Sequence, residues 1–312
     1  MILYADWSSM ALSLALVSPD GRILARRQSE SDGAASLAPG DYPARLATLA
    51  DDWLGGAEAV YVSGMATGRG NWRETGYVSA PALPSALLPG AIRLQLAEAC
   101  PIFLLPGLSI DRPLPDVMRG EELKIWGLAA DEFAAIVLPG KHSKWAVLEE
   151  GRIQRFATFL SGEIEALLAR DSILSRLIPS GATVTESGIL AGLKAWGEVR
   201  QCGGGVLRAV FSARSNVLAG HLPPADIPGY LQALVLAAEI DEARGEFLSD
   251  REGAVALIGA APLCGAYARI LGHMGLESRR FDGLDLGART VAAIHGLHDL
   301  ETRVHNVEHI IG

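Results

Sequence analysis

Short apolar runs and polar turns alternate at the start of the chain. Residues 1–5 and 11–17 are apolar and flank a polar turn at residues 6–10. Ser18-Pro19-Asp20-Gly21 is a strong turn signal ahead of residues 22–26. The pattern predicts three consecutive strands joined by tight turns.

A helix and a further strand follow this opening. Residues 42–54 predict a helix, with Asp41 as its N-cap and Gly55-Gly56 as its stop. Residues 58–62 then predict a strand. The order strand, helix, strand favours an α/β domain.

The second half of the chain opens in the same way. Residues 134–138 and 144–148 predict two strands around a polar turn, and a third begins at Arg152. Asp20-Gly21-Arg22-Ile23 and Glu150-Gly151-Arg152-Ile153 match at an offset of about half the chain. The match predicts either two similar domains facing each other or two unrelated hairpins with similar turns. In the first case, the polar turns would face one interdomain cleft, where ligands usually bind.

Helices are predicted over most of the remaining chain, at residues 121–130, 162–177, 187–196 and 227–244. Residues 255–258 predict a buried strand, followed by a turn of small residues at 259–265 and a helix at 266–274. A small-residue turn between a strand and a helix lets a ligand approach the backbone, and the N-terminus of the helix favours phosphate.

Composition narrows the class of protein. The 312 residues suit about two domains, and 27 Lys plus Arg against 36 Asp plus Glu give a net charge of −9. This acidic balance argues against a nucleic-acid partner bound through phosphate neutralisation. The 35 glycines are an excess that predicts many tight turns or close backbone approaches.

Cysteine content and hydropathy predict the compartment. The three cysteines are odd in number and widely spaced, which indicates a reducing compartment. Residues 11–17 have no preceding basic residue, so they do not resemble a signal peptide. The most apolar later stretch, residues 230–240, is too short to span a bilayer. We therefore expect a cytoplasmic protein with no membrane partner.

Three polar clusters are candidates for chemistry. Arg119-Gly120-Glu121-Glu122 begins a helix, where acids are common because of the macrodipole, but a carboxylate there could also accept a proton from a substrate hydroxyl. The turn at residues 139–145 carries Lys, His and Ser donors that suit phosphate oxygens or form a solvated basic loop. Asp6 could hold a metal through water or fix its turn.

Two further motifs have simpler interpretations. Residues 305–309 spell His-x-x-Glu-His, an inverted zinc-protease pattern. The sequence continues for only three residues and offers no further carboxylate for a catalytic zinc shell, so we expect the face of a terminal helix. Gly203-Gly204-Gly205 predicts a flexible turn rather than a nucleotide loop.

The motifs, taken in order, resemble the 2-dehydro-3-deoxygalactonokinase family, a sugar-kinase branch of the superfamily that includes hexokinase, glycerol kinase and actin. The similarity runs nearly end to end. It is carried by Asp6-Trp7, Gly64-Met65, Arg69, Trp72, Tyr77, Pro81-Ala82, Pro106-Gly107-Leu108, Met118-Arg119-Gly120-Glu121-Glu122, Pro139-Gly140, His142-Ser143-Lys144-Trp145 and Ser161-Gly162-Glu163.

The resemblance implies a fold and an activity. The expected fold is α/β, with two actin-like domains at residues 1–125 and 126–312 and a cleft between them for ATP and the sugar acid. The implied reaction transfers phosphate from ATP, with Mg²⁺, to the 6-hydroxyl of 2-dehydro-3-deoxy-D-galactonate or a related sugar acid. The small-molecule substrates are the expected partners, and a homodimer is left open.

The resemblance also implies roles for single residues. Glu121 is the implied catalytic base, and Asp6 is the implied magnesium ligand. The implied sugar-acid contacts are Arg69, Trp72, Arg119 and Glu122. The implied nucleotide contacts are Ser8, Ser9, Gly140, Lys141, His142, Ser143, Lys144, Gly259, Ala260, Ala261 and Leu263.

The first turn departs from the family pattern. The family usually has Asp-Trp-Gly-Thr-Thr-Asn followed by a basic residue, whereas here the turn is Asp6-Trp7-Ser8-Ser9-Met10-Ala11. Lys141 replaces a threonine, and Gln232-Ala233 replaces a Ser-Gly pair. Either the Lys141 charge compensates at the phosphates, or the chain has weak ATP binding or a different sugar acid. A catalytically weakened homologue that binds a sugar acid as a sensor or regulator is the alternative function.

Overall fold

The computed structural model describes residues 1–95, 100–128, 132–249 and 251–308, with side chains described up to residue 298. The chain divides into two compact units. The first comprises residues 1–131, 146–156 and 282–312, and the second comprises residues 132–145 and 157–281.

Both units contain strands and helices. The strands are β1 (Ile2–Trp7), β2 (Leu12–Val17), β3 (Ile23–Ser29), β4 (Ala59–Gly64), β5 (Tyr77–Ser79), β6 (Ile92–Gln95), β7 (Pro101–Leu104), β8 (Gly107–Ile110), β9 (Asp116–Met118), β10 (Phe133–Leu138), β11 (Ser143–Glu149), β12 (Arg152–Phe159), β13 (Ala254–Ile258) and β14 (Ser278–Phe281). The α-helices are α1 (Tyr42–Ala50), α2 (Glu121–Trp126), α3 (Ser161–Asp171), α4 (Glu186–Gln201), α5 (Val206–Leu218), α6 (Ile227–Ala243), α7 (Ala261–His273) and α8 (Gly283–Glu308).

Two sheets have the same strand order at their centres. One runs β3-β2-β1-β4-β7-β6 and the other β12-β11-β10-β13-β14, while a small third sheet runs β5-β8-β9. Strand β1 is antiparallel to β2 and parallel to β4, and β10 is parallel to β13. The repeated order confirms the internal repeat that the two similar openings predict.

The core of the first unit explains why its opening strands are so apolar. Leu3, Ala5 and Trp7 alternate along β1 and are fully buried in one cluster with Leu46 of α1. Helix α8 packs on β1 closely enough that a Cβ atom at Gly287 would lie 2.5 Å from the Tyr4 ring. Burial on both faces of this central strand produces a continuous apolar run in the sequence.

Several predicted boundaries differ from the observed ones. The helix predicted at 42–54 ends at Ala50 and continues as a 3-10 helix, Asp51–Gly56. Helix α7 begins at Ala261 rather than at residue 266, and Pro262 in its first turn is compatible with a helix start. Helices α5 and α8 were not predicted, apart from the terminal segment at residues 305–308, and His309 of that motif lies outside the described residues.

The length and hydropathy of the helices show whether any of them could cross a membrane. Across the part of the chain that the structure describes, no helix combines the length and the apolarity needed to cross a bilayer.

Candidate functional site

The carboxyl ends of β1 and β4 bring polar residues together in the first unit. Asp6 of β1 lies opposite Ser63 of β4, and Trp7 lies opposite Gly64. Parallel strands place their carboxyl ends at one edge of a sheet, which is where α/β folds bind ligands. The edge therefore defines a candidate site around Asp6.

Two glycines bring the start of α2 to this edge. Gly64 and Gly120 have φ values of +83° and +98°, in the left-handed region that favours glycine. A Cβ atom at Gly120 would lie 3.0 Å from the Gly64 Cα atom, and one at Gly64 would lie 2.4 Å from the Trp7 carbonyl oxygen. The close approach explains part of the glycine excess.

A lysine that the sequence interpretation missed completes this edge. The Lys124 ammonium lies 2.8 Å from Asp6 Oδ2, and the two side chains are 22% and 16% exposed. Burial lowers the Lys124 pKa, but the carboxylates of Asp6, Glu121 and Glu122 outweigh it and raise the pKa overall. The spacing of Lys124 from Glu121, one helical turn, was the available sequence signal.

The two glutamates of α2 have different surroundings. Glu121 is partly exposed, and its Oε2 accepts the Arg119 backbone N–H at 2.8 Å. Glu122 is fully buried, and both of its oxygens accept the Gly120 N–H at 2.8 Å. Burial, with the nearby Glu121 charge, raises the Glu122 pKa to about 8. Glu122 thus lies below the surface that carries Glu121.

The raised Glu122 pKa predicts a specific pH dependence of stability. The folded chain holds the Glu122 proton more tightly than the unfolded chain. The stabilisation of the fold by this protonated carboxyl is therefore lost as the pH rises from about 4.5 towards 8. Glu122→Gln stays neutral across this range, and its Tm relative to the wild type should rise by several degrees between pH 5 and pH 8, since ~1 kcal/mol corresponds to roughly 2–4 °C. Thermal melts of both proteins check this, and parallel curves would contradict it.

The Arg119 guanidinium lies against a segment of the first unit. Its Nη1 donates to the Thr67 carbonyl at 2.9 Å and to the Thr75 hydroxyl at 2.6 Å, while Nη2 donates to the Thr75 and Gly76 carbonyls at 3.1 and 3.3 Å. The guanidinium carbon also lies 4.3 Å from the centre of the Tyr77 ring. These contacts hold residues 67–77 in place.

Arg69 and Trp72, both predicted to bind the sugar acid, lie in that segment. The Arg69 side chain is 89% exposed and pairs with Glu74 at 3.2 Å. Trp72 is largely buried in the core, where its ring stacks on Tyr42 and packs edge-on against Trp7. Of the two, the Arg69 side chain is therefore the more accessible to a ligand.

The first turn does not need the glycine that the family usually has there. Among the described residues, the non-glycine positions with positive φ are Asp51 and Glu150, so Ser8 adopts an ordinary conformation. Its hydroxyl oxygen accepts the N–H groups of Met10 and Ala11. Ser9 accepts the Ala35 N–H through its carbonyl oxygen. Serine therefore orders this turn through its side chain.

The second unit has a matching edge at the ends of β10 and β13. The turn that contains Gly140 follows β10, and Gly259 follows β13, its parallel partner. A Cβ atom at Gly162, in the first turn of α3, would lie 2.3 Å from the Gly140 carbonyl oxygen, so α3 packs directly on this turn. The predicted phosphate and adenosine segments are therefore neighbours in this unit.

The basic residues of the turn after β10 differ in exposure. Lys141 and His142 are exposed, and His142 Nε2 lies 2.5 Å from Glu163 Oε2. Lys144 is buried, and its ammonium donates to the His142 carbonyl oxygen at 3.2 Å. The Lys141 and His142 side chains are therefore accessible to an anion, whereas Lys144 braces the turn.

The turn after β13 is open to solvent. Gly259, with φ +145°, precedes Ala260, the N-cap of the 13-residue helix α7. Ala260, Ala261 and Leu263 are exposed. A helix N-terminus that is open in this way offers backbone N–H groups to an anionic ligand.

The Ser143 hydroxyl points away from solvent. Ser143 is fully buried, and its Oγ donates to Glu239 Oε2 at 2.9 Å. Trp145 and Tyr267 donate to the same carboxylate. Glu239, on α6, was not among the predicted site residues, because nothing near it in the sequence marks these long-range contacts.

The carboxylate of Asp6 is the candidate protein ligand for Mg²⁺ in the first unit. Among the residues that the structure describes, no group of three or more His, Cys, Asp or Glu side chains is arranged to hold a metal ion. Mg²⁺ usually takes only one or two protein carboxylates and completes its shell with water and substrate phosphates. The single carboxylate of Asp6 fits that donor set.

The chain is similar to known proteins over most of its length. A family model described as 2-keto-3-deoxy-galactonokinase matches residues 6–297. A protein of Rhizobium meliloti (strain 1021), named a probable 2-dehydro-3-deoxygalactonokinase, is 31% identical over 302 residues, which are 92% of this chain and 96% of that protein.

Solved structures share the fold. A protein of Sinorhizobium meliloti, assigned to the 2-dehydro-3-deoxygalactonokinases, is 29% identical, with a TM-score of 0.80 over 94% of this chain and 98% of its own. A ligand-bound xylulose kinase from Lactobacillus acidophilus is 10% identical, with a TM-score of 0.54 over 95% of this chain and 89% of its own. These likenesses and the repeated strand order confirm the predicted actin-like α/β fold.

Proposed function

Because the chain belongs to the 2-keto-3-deoxy-galactonokinase family and is a carbohydrate kinase, we propose that it phosphorylates 2-dehydro-3-deoxy-D-galactonate, or a related 2-keto-3-deoxy sugar acid, at the 6-hydroxyl. The products are the 6-phosphate and ADP. The observation that carries this proposal is the convergence of Asp6, Glu121 and Lys124 at one sheet edge, through the contact of Gly64 with Gly120.

Glu121 is the proposed base. The oxygen of the 6-hydroxyl attacks the γ-phosphorus of ATP, and its proton passes to the Glu121 carboxylate as the bond between the γ-phosphorus and the bridging oxygen breaks. The Arg119 N–H holds Glu121 Oε2 at 2.8 Å, which fixes the carboxylate for this transfer. Phosphoryl transfer depends on such positioning and on charge neutralisation more than on covalent chemistry.

Lys124 is the proposed source of positive charge beside the first turn, which has no basic residue of its own. Its ammonium, 2.8 Å from Asp6 Oδ2, offsets the negative charge of the acidic cluster. Asp6 is the proposed protein ligand of Mg²⁺, which neutralises phosphate charge when it is bound. Lys124 therefore supplies, beside the first turn, a positive charge that the turn itself lacks.

The sugar-acid carboxylate is assigned to the segment that Arg119 holds. Arg69 is the proposed direct partner, because its guanidinium is exposed and can bind a carboxylate bidentately. Arg119 contributes by ordering residues 67–77 through the Thr67 and Thr75 contacts. Trp72 supports the same segment through its packing in the core, and Glu122 supports the start of α2.

ATP is assigned to the second unit. The turn at Gly140, Lys141 and His142 is the proposed phosphate contact. Ser143 contributes through its backbone, and Lys144 contributes by holding the turn through its hydrogen bond to the His142 carbonyl oxygen. The exposed turn at residues 259–263 is the proposed adenosine contact. In the first unit, Ser8 orders the first turn through its side chain, and Ser9 is a proposed phosphate contact.

The activity is tested by coupling ADP release to NADH oxidation with a panel of 2-keto-3-deoxy sugar acids. We expect ADP release that depends on one acid of the panel and on Mg²⁺. Relatives named as kinases do not favour the binding-only alternative. Retained binding of a sugar acid without any ADP release would support that alternative and overturn the proposal.

A further inference from the structure

A buried carboxylate in the second unit is used by nothing in the proposed reaction. Glu239, on α6, is 2% exposed. Its Oε1 accepts the Trp145 indole N–H at 2.7 Å and its Oε2 accepts the Ser143 hydroxyl at 2.9 Å. The Tyr267 hydroxyl lies 3.0 and 2.9 Å from the two oxygens, and the Ser161 side chain is a fourth partner.

The donors come from the elements that carry the proposed nucleotide contacts. Ser143 and Trp145 begin β11, directly after the turn at Gly140. Ser161 is the first residue of α3, which packs on that turn, and Tyr267 belongs to α7, whose N-terminus follows Gly259. One carboxylate therefore connects the phosphate turn to the helix of the adenosine turn.

The burial of Glu239 is costly unless its hydrogen bonds are complete. Burial raises the Glu239 pKa, whereas the bonds from Ser161, Trp145, Ser143 and Tyr267 act in the opposite direction. A buried network of this kind rigidifies the groups that it joins when every member is satisfied. Rigidity at this place would fix the spacing between the two turns.

We propose that Glu239 is a positioning residue for the nucleotide, which holds the phosphate turn at residues 139–143 and the first turns of α7 at a fixed spacing. The inference rests on the proposed assignment of ATP to the second unit. It deepens that assignment, because it makes ATP affinity depend on a residue that ATP does not contact.

Two variants separate positioning from general stability. Tyr267→Phe removes the hydroxyl contacts of α7 with Glu239 and Ser143 and leaves the other three donors to Glu239 in place. Tyr230→Phe is the matched control on α6, since Tyr230 is also buried and its hydroxyl bonds Ser212 and Asn216 at 2.6 and 3.1 Å. Each variant removes one tyrosine hydroxyl from a hydrogen-bond network of the same unit.

The experiment measures ADP binding by titration calorimetry, Tm, and steady-state KM for ATP and for the sugar acid in the full chain. We expect Tyr267→Phe to raise the ADP Kd and the ATP KM by about tenfold with an unchanged sugar-acid KM. Tyr230→Phe should lower Tm comparably and leave the ADP Kd within about twofold. Glu239→Ala removes the acceptor of all four donors, so adding Tyr267→Phe to it should weaken ADP binding no further.

Three results would overturn the inference: an unchanged ADP Kd in Tyr267→Phe, an equal loss of ADP affinity in Tyr230→Phe, or a wild type that does not bind ADP. Failure of the proposed function is distinguishable from these. A wild type that binds ADP but phosphorylates no sugar acid would contradict the function, while the Tyr267→Phe effect on ADP binding would still stand.

Discussion

Glu121→Gln is expected to lower kcat by about 10²–10⁴-fold and to leave the affinity for the sugar acid within about twofold. A glutamine keeps the shape of the side chain and its hydrogen bond to the Arg119 N–H, but it cannot accept the hydroxyl proton. Steady-state kinetics and direct titration of the sugar acid measure the two quantities separately.

Glu186→Gln is the matched control for this substitution. Glu186 begins α4 and pairs with Arg269 and His273 on the surface of the second unit. The kcat of the Glu186→Gln variant should therefore equal that of the wild type. Near-normal turnover by Glu121→Gln would show that the proton goes elsewhere, and Asp6 would be the next carboxylate to substitute.

Lys124→Met is expected to lower kcat by about 10²-fold or more, because it removes the charge that balances Asp6 and Glu121 while keeping most of the side-chain volume. Lys124→Arg, which keeps the charge, should recover most of that loss. Kinetics of both variants, together with Tm, separate the charge effect from a loss of folded protein.

The exposed ion pair between Lys194 and Glu198 provides the control for Lys124. The Lys194 side chain is 78% exposed, and surface pairs of this kind contribute little. Lys194→Met should therefore leave kcat and Tm close to the wild-type values. Full activity in Lys124→Met would show that catalysis does not need the Lys124 charge, as would equal losses in the methionine and arginine variants.

The central strands of both sheets could be predicted because their signals are local. Apolar runs that end at turns such as Ser18-Pro19-Asp20-Gly21 determine strand positions within a few residues, and the second set of strands repeats the first. The start of α7 at Ala261, and not at residue 266, also has a local signal, since Pro262 in the first turn is compatible with a helix start there.

The candidate site could be predicted only in part, because its contacts join distant segments. The pairing of Lys124 with Asp6 spans more than one hundred residues, and the bond from Trp145 to Glu239 spans nearly as many. A motif identifies residue types but not which side chains face a ligand. Trp72 is an example, since its ring is largely buried in the core, where it stacks on Tyr42.

Phosphorylation at the 6-hydroxyl can be tested by identifying the product of the wild-type reaction. A ³¹P–¹H correlation spectrum of the product from ATP, Mg²⁺ and 2-dehydro-3-deoxy-D-galactonate should show one new phosphomonoester coupled to the protons on C6. Coupling to a proton on any other carbon, or ATP consumption without a phosphorylated sugar acid, would rule out phosphorylation at the 6-hydroxyl.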